Sequence, residues 1–161
     1  MRTRLLMIVT IGLLLLSVSS VLAQQENIIT LLHFSDYHSH AVPFYSEGAE
    51  GTAGIARAMA YFETYANDPE VLIFSGGDMI NKGSPAWSDK YQCVEWPWLN
   101  GIVDAMAFGN HDTDYGAEVF AQCQALIDYP ILGSNVLSGD GSPLFQYAGK
   151  TYHVFDIAGT K

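Results

Sequence analysis

Apolar residues along this chain come alternately in short unbroken runs and in helical spacing. "NIITLLHF" (27–34), "VLIFSG" (71–76) and "VDAMAF" (103–108) are short, apolar and bounded by Gly, Ser or Asp, which suits buried strands. Between the first two, "GIARAMAYFETYA" (54–66) brings Ile55, Ala58, Met59, Phe62 and Tyr65 near one helical face. A second helix is expected from Tyr115 to Ile127, with Val119, Phe120, Cys123 and Leu126 turned inward. Strand, helix, strand order implies an α/β fold of parallel strands joined by right-handed crossovers. "GSNVLSGDGSPLF" (133–145) reads as turns, and "FQYAGKTYHVFDI" (145–157) as a hairpin turning at Ala148 to Lys150. "GAEGTAG" (48–54) reads as a glycine-rich approach to the first helix. The three tryptophans of "WSDKYQCVEWPWLNG" (87–101) suit the packing of an irregular helix around Pro97.

The first 23 residues do not fit this alternation. Two arginines, an apolar stretch from Leu5 to Leu16 and small residues up to Ala23 read as a secretory signal peptide. The apolar stretch falls short of the roughly 20 residues of a comfortable membrane span. An uncleaved anchor is the alternative. The expectation is a secreted or periplasmic protein whose mature domain runs from residue 24 to 161.

Charge narrows the partners. Without Arg2 and Arg4 the chain keeps five Lys and Arg against 17 Asp and Glu, a formal charge of −12. Such a surface excludes nucleic-acid polymers and anionic membranes as partners, which need basic patches. An anionic small-molecule substrate must then be held by something other than basic side chains. Cys93 and Cys123, the only cysteines, are either a disulfide, as export favours, or two buried thiols.

The chemistry lies just beyond the end of each strand: "SDYHSH" after the first, "GGDMIN" after the second and "GNHDTD" after the third. The carboxyl ends of adjacent parallel strands converge on one crevice. Asp36, His38, Asp78, Asn110 and His111 would gather there. Carboxylate, imidazole and amide donors together suit Mn, Zn, Fe or Co better than calcium or a thiolate site. Asp36 and His38, two apart on an extended segment, reach one ion. Asp78 has two oxygens with which to bridge a pair of ions, and Asn110 offers a neutral oxygen to the second. His111 is read as a general acid with Asp114, three residues on, orienting its ring. A helix N-terminus capped by Asn110 or Asp112 is the structural alternative, and it is compatible with catalysis. A calcium loop beginning at Asp112 fails, because Cys123 stands at its twelfth position, where Glu is required. His40 is read as a loop histidine, and His33 and His153 as packed or surface positions.

"SDYHSH", "GGDMIN" and "AMAFGNHDTDYG" resemble the first three motifs of the calcineurin-like metallophosphoesterases, and "GNHDTDYG" is similar to their exported 5'-nucleotidase branch. The resemblance covers roughly residues 28–161, including "PILGSNV" and a final "YHVFDIAGT" similar to the family's next strand. It implies a four-layer α/β/β/α sandwich, two divalent metal ions and hydrolysis of nucleotides or related phosphate esters by a metal-activated hydroxide. It also implies Asp36 and His38 on one metal, Asp78 bridging, Asn110 on the other, and His111 with Asp114 as a catalytic dyad. Ser35 stands where the branch usually has Asn, Asp112 replaces Glu, Thr113 replaces an aromatic residue, and one extra residue sits between Asn81 and Gly83. The family's three later histidines, including a Gly-His-x-His, have no counterpart, nor has the branch's nucleoside-binding domain. The chain is therefore expected to be the amino-terminal portion of a longer protein. A noncatalytic secreted binding module that retains the scaffold is the alternative function.

Overall fold

The computed structural model describes residues 28–161 except Glu47, Ala53, Ser84, Pro85 and Ala158. The expected signal peptide lies outside the described residues. Strands β1 (Thr30–Phe34), β4 (Val71–Ser75), β5 (Ala105–Ala107) and β6 (Ile131–Leu132) form one sheet in the order β1-β4-β5-β6. Every neighbouring pair is parallel, with Phe34 opposite Ser75, Ser75 opposite Met106 and Met106 opposite Ile131. This is the expected strand–crossover–strand pattern. It brings the carboxyl ends of β1, β4 and β5 to one edge.

Alternate residues divide the sheet into two faces. Leu32, Phe34, Ile73, Met106 and Ile131 belong to the core, where they meet Ile55 and Phe62 of α1 (Ile55–Glu63) and Phe120 and Cys123 of α3 (Ala117–Gln124). Trp96 and Leu99, both fully buried, close this layer from a 3-10 turn over Trp96–Leu99, in which Pro97 occupies the first turn. The irregular helix expected around Pro97 is this turn. Fully burying each large apolar side chain contributes roughly 1.5–3 kcal/mol. On the other face Leu31 and His33 are exposed, while Phe74 meets the ring of Phe155 edge-on. The described residues thus supply the four-stranded sheet and its helical layer, two of the four layers expected.

A disulfide joins Cys93 and Cys123 across 30 residues, between the segment after helix α2 (Ala86–Tyr91) and the last turn of α3. The loop it closes contains β5 and the whole "GNHDTD" turn.

Some sequence expectations need correction. The helix expected from Tyr115 begins only at Ala117, because Gly116 precedes it with φ 91°, so residues 110–115 are a turn and neither Asn110 nor Asp112 caps a helix. The glycine-rich stretch 48–54 contributes strand β3 (Ala49–Thr52), which pairs antiparallel with β2 (Phe44–Ser46) before α1 starts. The expected hairpin over 145–157 reduces to one bridge between Tyr147 and Lys150, around Ala148 and Gly149, both at positive φ. The segment similar to the family's next strand forms only the Ile157–Thr160 bridge. Among the described residues, no helix is long and apolar enough to cross a membrane.

Candidate metal centre

Three turns leave the carboxyl edge of the sheet, and each is built to approach the next. After β1, Asp36, His38 and Ser39 lie in the left-handed region, with φ 56°, 47° and 54°. After β4, Asp78 does the same, with φ 56°. Non-glycine residues in that region cost of order 1–3 kcal/mol each and persist only where surrounding structure imposes them. Here the two turns lace together through the main chain. The amides of Asp36, His38 and Ser39 donate to the carbonyls of Gly77, Asp78 and Met79 at 3.2, 3.0 and 3.0 Å.

The third turn is clasped to the second by carboxylates. Asp78 Oδ1 accepts from the His111 amide at 2.8 Å. Asp112, fully buried, accepts from the amides of Gly109 and Met79 at 2.8 Å each and from that of Asp78 at 3.2 Å. Burial pushes the Asp112 carboxyl up to about 6, against these three donors, which favour its ionised form. Glycine is required where the turns cross. A Cβ on Gly77 would stand 2.5 Å from Gly109 N and 2.6 Å from Ala107 O.

The result is a cluster: donor atoms of Asp36, His38 and Asp78 all lie within 4.8 Å of one another. Asp36 is exposed at the rim, His38 half-buried and Asp78 buried. His38 Nε2 stands 3.4 Å from Asp36 Oδ1, and its Nδ1 is buried without a partner. The hydroxyl of Ser35 donates to Asp36 Oδ2, the main reason this carboxyl sits below its usual range. Two carboxylates and an imidazole converging without a Lys or Arg among them is a donor set that a divalent cation of the Mn, Zn, Fe or Co kind satisfies. Asn110 is exposed on the third turn, between Gly109, whose amide is tied to Asp112, and His111, whose amide is tied to Asp78.

His111 Nδ1 lies 2.8 Å from Asp114 Oδ2, within a turn closed by the Asp114 amide on the His111 carbonyl. That hydrogen bond raises the imidazole above its ordinary value, assisted by the nearby charges of Asp114, Asp78 and Asp112 and opposed by desolvation. The i, i+3 pairing expected of a helix is delivered by a turn instead. The His111 ring meets that of His38 edge-on at 5.0 Å. His40 points elsewhere, its Nδ1 toward Tyr37 O and its ring against Phe44. Beside Asp36 opens a cavity of about 610 Å³, walled by Phe34, Tyr37, His40, Phe44 and Tyr61 among others.

Sequence reasoning gathers Asp36, His38, Asp78, Asn110 and His111 at one edge; the structure brings the donors of Asp36, His38 and Asp78 together, sets the His111 ring beside His38 with Asp114 bonded to it, and leaves Asn110 exposed on the third turn. Sequence reasoning missed what holds the turns together. None of the readings of Asp112, as a possible cap, as the start of a rejected calcium loop or as a replacement for Glu, gives it this clasping role, and the crossing of Gly77 and Gly109 was not foreseen.

A family model described as "Calcineurin-like phosphoesterase" matches residues 29–160. The 5'-nucleotidase of Vibrio cholerae is 31% identical over 140 residues, covering 83% of this chain and 24% of the relative. Protein UshA of Escherichia coli is 31% identical over 125 residues, covering 73% of this chain and 22% of the relative. The NAD nucleotidase of Haemophilus influenzae superposes with a TM-score of 0.67 at 22% identity, covering 81% of this chain and 24% of that structure, a likeness of fold. The chain spans about a quarter of the length of the curated relatives it matches.

Proposed function

We propose, because the chain belongs to the calcineurin-like phosphoesterase family, that it is the metal-binding amino-terminal part of an exported hydrolase of nucleotides or related phosphate esters. The observation that carries the reading is the convergence of Asp36, His38 and Asp78 donors within 4.8 Å at one sheet edge. Asp36 and His38 would hold one divalent cation, Asp78 would be shared between two, and Asn110 would hold the second. When bound, such a pair supplies Lewis acidity toward phosphoryl oxygens and lowers the pKa of a water nucleophile.

The chain's own residues do the rest. Asp114 accepts the Nδ1 proton of His111, which leaves Nε2 as the nitrogen that donates a proton to the departing ester oxygen. The Asp112 clasp and the Gly77–Gly109 crossing keep the second and third turns in register, so that His111 faces the cluster without reorganising. The aromatic cavity beside Asp36 has room for the organic part of an ester. The acidic composition suits this arrangement, since cations replace the Lys and Arg that would otherwise hold an anion.

The test is turnover of AMP and of p-nitrophenyl phosphate by the full-length protein with added Mn²⁺. Asp78→Ala is expected to abolish both turnover and cation binding. His111→Ala should leave binding intact and lower turnover by about 10²–10⁴-fold. Cation binding without turnover in the wild type would point instead to a binding module on the same scaffold. Turnover unchanged in Asp78→Ala would refute the proposal.

A further inference from the structure

Glu95 is a buried carboxylate that the proposed chemistry does not use. It is 2% exposed, at the start of the Trp96–Leu99 turn, and its Oε1 accepts from the Tyr37 hydroxyl at 2.7 Å across 58 residues of sequence. Burying a carboxylate in an otherwise apolar region is costly unless it is bonded. A phenylalanine at position 37 with an apolar residue at 95 would pack the same space more cheaply. Tyr37 also stands between Asp36 and His38, both held with φ in the left-handed region.

We infer that Glu95, acting through the Tyr37 hydroxyl, is a positioning residue for the cation cluster: it ties the centre of the Asp36-Tyr37-His38 turn to the core so that both flanking donors face Asp78. The geometry gives the reason. Asp36 and His38 are each fixed by one main-chain bond to the second turn, at 3.2 and 3.0 Å. The amide of Tyr37 has no such bond to that turn among the main-chain bonds described, and its ring reaches the other way, into the layer that holds Glu95. The Tyr37 carbonyl accepts from the His40 amide and lies 3.0 Å from His40 Nδ1, so the same residue also closes the turn on its far side. Three left-handed residues in four need such a tether, because any one of them relaxes by swinging its side chain away from the cluster.

This inference rests on the cation site proposed above, and the experiment separates the two. Mn²⁺ affinity is measured by the loss of its free EPR signal on binding to the full-length protein. Urea unfolding of the metal-free protein is followed in parallel. Wild type is expected to bind; no binding would remove the proposed site and this inference together. Tyr37→Phe, which deletes only the hydroxyl, is expected to weaken Mn²⁺ binding by about 10–100-fold. Glu95→Gln keeps an acceptor oxygen for the hydroxyl and should bind within about threefold of wild type, whereas Glu95→Leu should match Tyr37→Phe. If Tyr37→Phe lowers the urea midpoint yet binds Mn²⁺ as wild type does, the pair serves the core alone and the inference is wrong.

Discussion

Replacing Gly109 by alanine adds one methyl group at the point where the second and third turns touch. A Cβ there would stand 2.8 Å from Asp78 Cγ and closer still to Asp78 Oδ1 and the Asp78 amide nitrogen. Two of these atoms belong to a side chain already bonded to the His111 amide, and the third is backbone, so nothing nearby is a flexible end that yields cheaply. Gly109 is not at positive φ, so the effect is purely one of space. The turns must part by about an ångström to reach ordinary contact. Overpacking of this kind costs about 1–3 kcal/mol. Parting the turns also sacrifices the Gly109–Asp112 or the His111–Asp78 bond, each 2.8 Å and each to a carboxylate, for about 1.5–3 kcal/mol more. The sum, about 2.5–6 kcal/mol, corresponds to a melting point lower by roughly 5–25 °C in a chain of this size. Because Asp78 is displaced, Mn²⁺ affinity should fall at least about tenfold. Gly139→Ala is the control: a Cβ there meets nothing within 4 Å, and its effect should stay within about 0.5 kcal/mol. Thermal melting and isothermal titration with Mn²⁺ give both numbers. A Gly109→Ala protein that melts and binds like wild type would show that the turns do not cross as described.

Other variants probe the same framework. Removing the disulfide by Cys93→Ala with Cys123→Ala frees a loop of about 30 residues in the unfolded chain and should lower urea stability by roughly 3–4 kcal/mol; an unchanged midpoint would contradict the bridge. Asp112→Ala strips an acceptor from three amides and should cost about 3 kcal/mol or more in the same assay, with a loss of Mn²⁺ affinity. Tyr129, 5% exposed and donating to Trp96 O at 3.1 Å, has its hydroxyl held above the ordinary phenol range by burial first and by the charges of Asp112 and Asp128 second. Its pKa is raised on folding, so its contribution is complete below about pH 10 and is lost as pH rises through the folded value. Urea midpoints should therefore fall in alkali, and Tyr129→Phe should flatten that fall; identical profiles would refute the assignment.

The strands that carry the site were legible because their apolar runs are unbroken and end abruptly in polar residues. "VLIFSG" stops just short of Asp78, and the strand it forms ends at Ser75. The His111–Asp114 pair was legible too, although a turn supplies the spacing that a helix was expected to provide. Short elements escaped. β6 is two residues long, and the β2–β3 hairpin is built around glycines whose pattern equally suits a loop. Conversely, "FQYAGKTYHVFDI" has the alternation of a hairpin, but among the described residues it makes only the Tyr147–Lys150 bridge and, at its end, the bridge from Ile157 to Thr160. Asp112 and Glu95 could not be read because aspartate and glutamate are ordinarily exposed. Apart from the Gly109 amide, three residues from Asp112, their donors lie 33 to 58 residues away, which no local pattern reveals.

The central claim is that Asp36, His38 and Asp78 close on a divalent cation. Crystals of the full-length protein grown with Mn²⁺ and measured at the manganese absorption edge test it directly. The account predicts an anomalous peak within coordination distance of all three side chains, absent from Asp78→Ala. A well-ordered site with no peak between these residues, or a peak that survives the loss of Asp78, would contradict it.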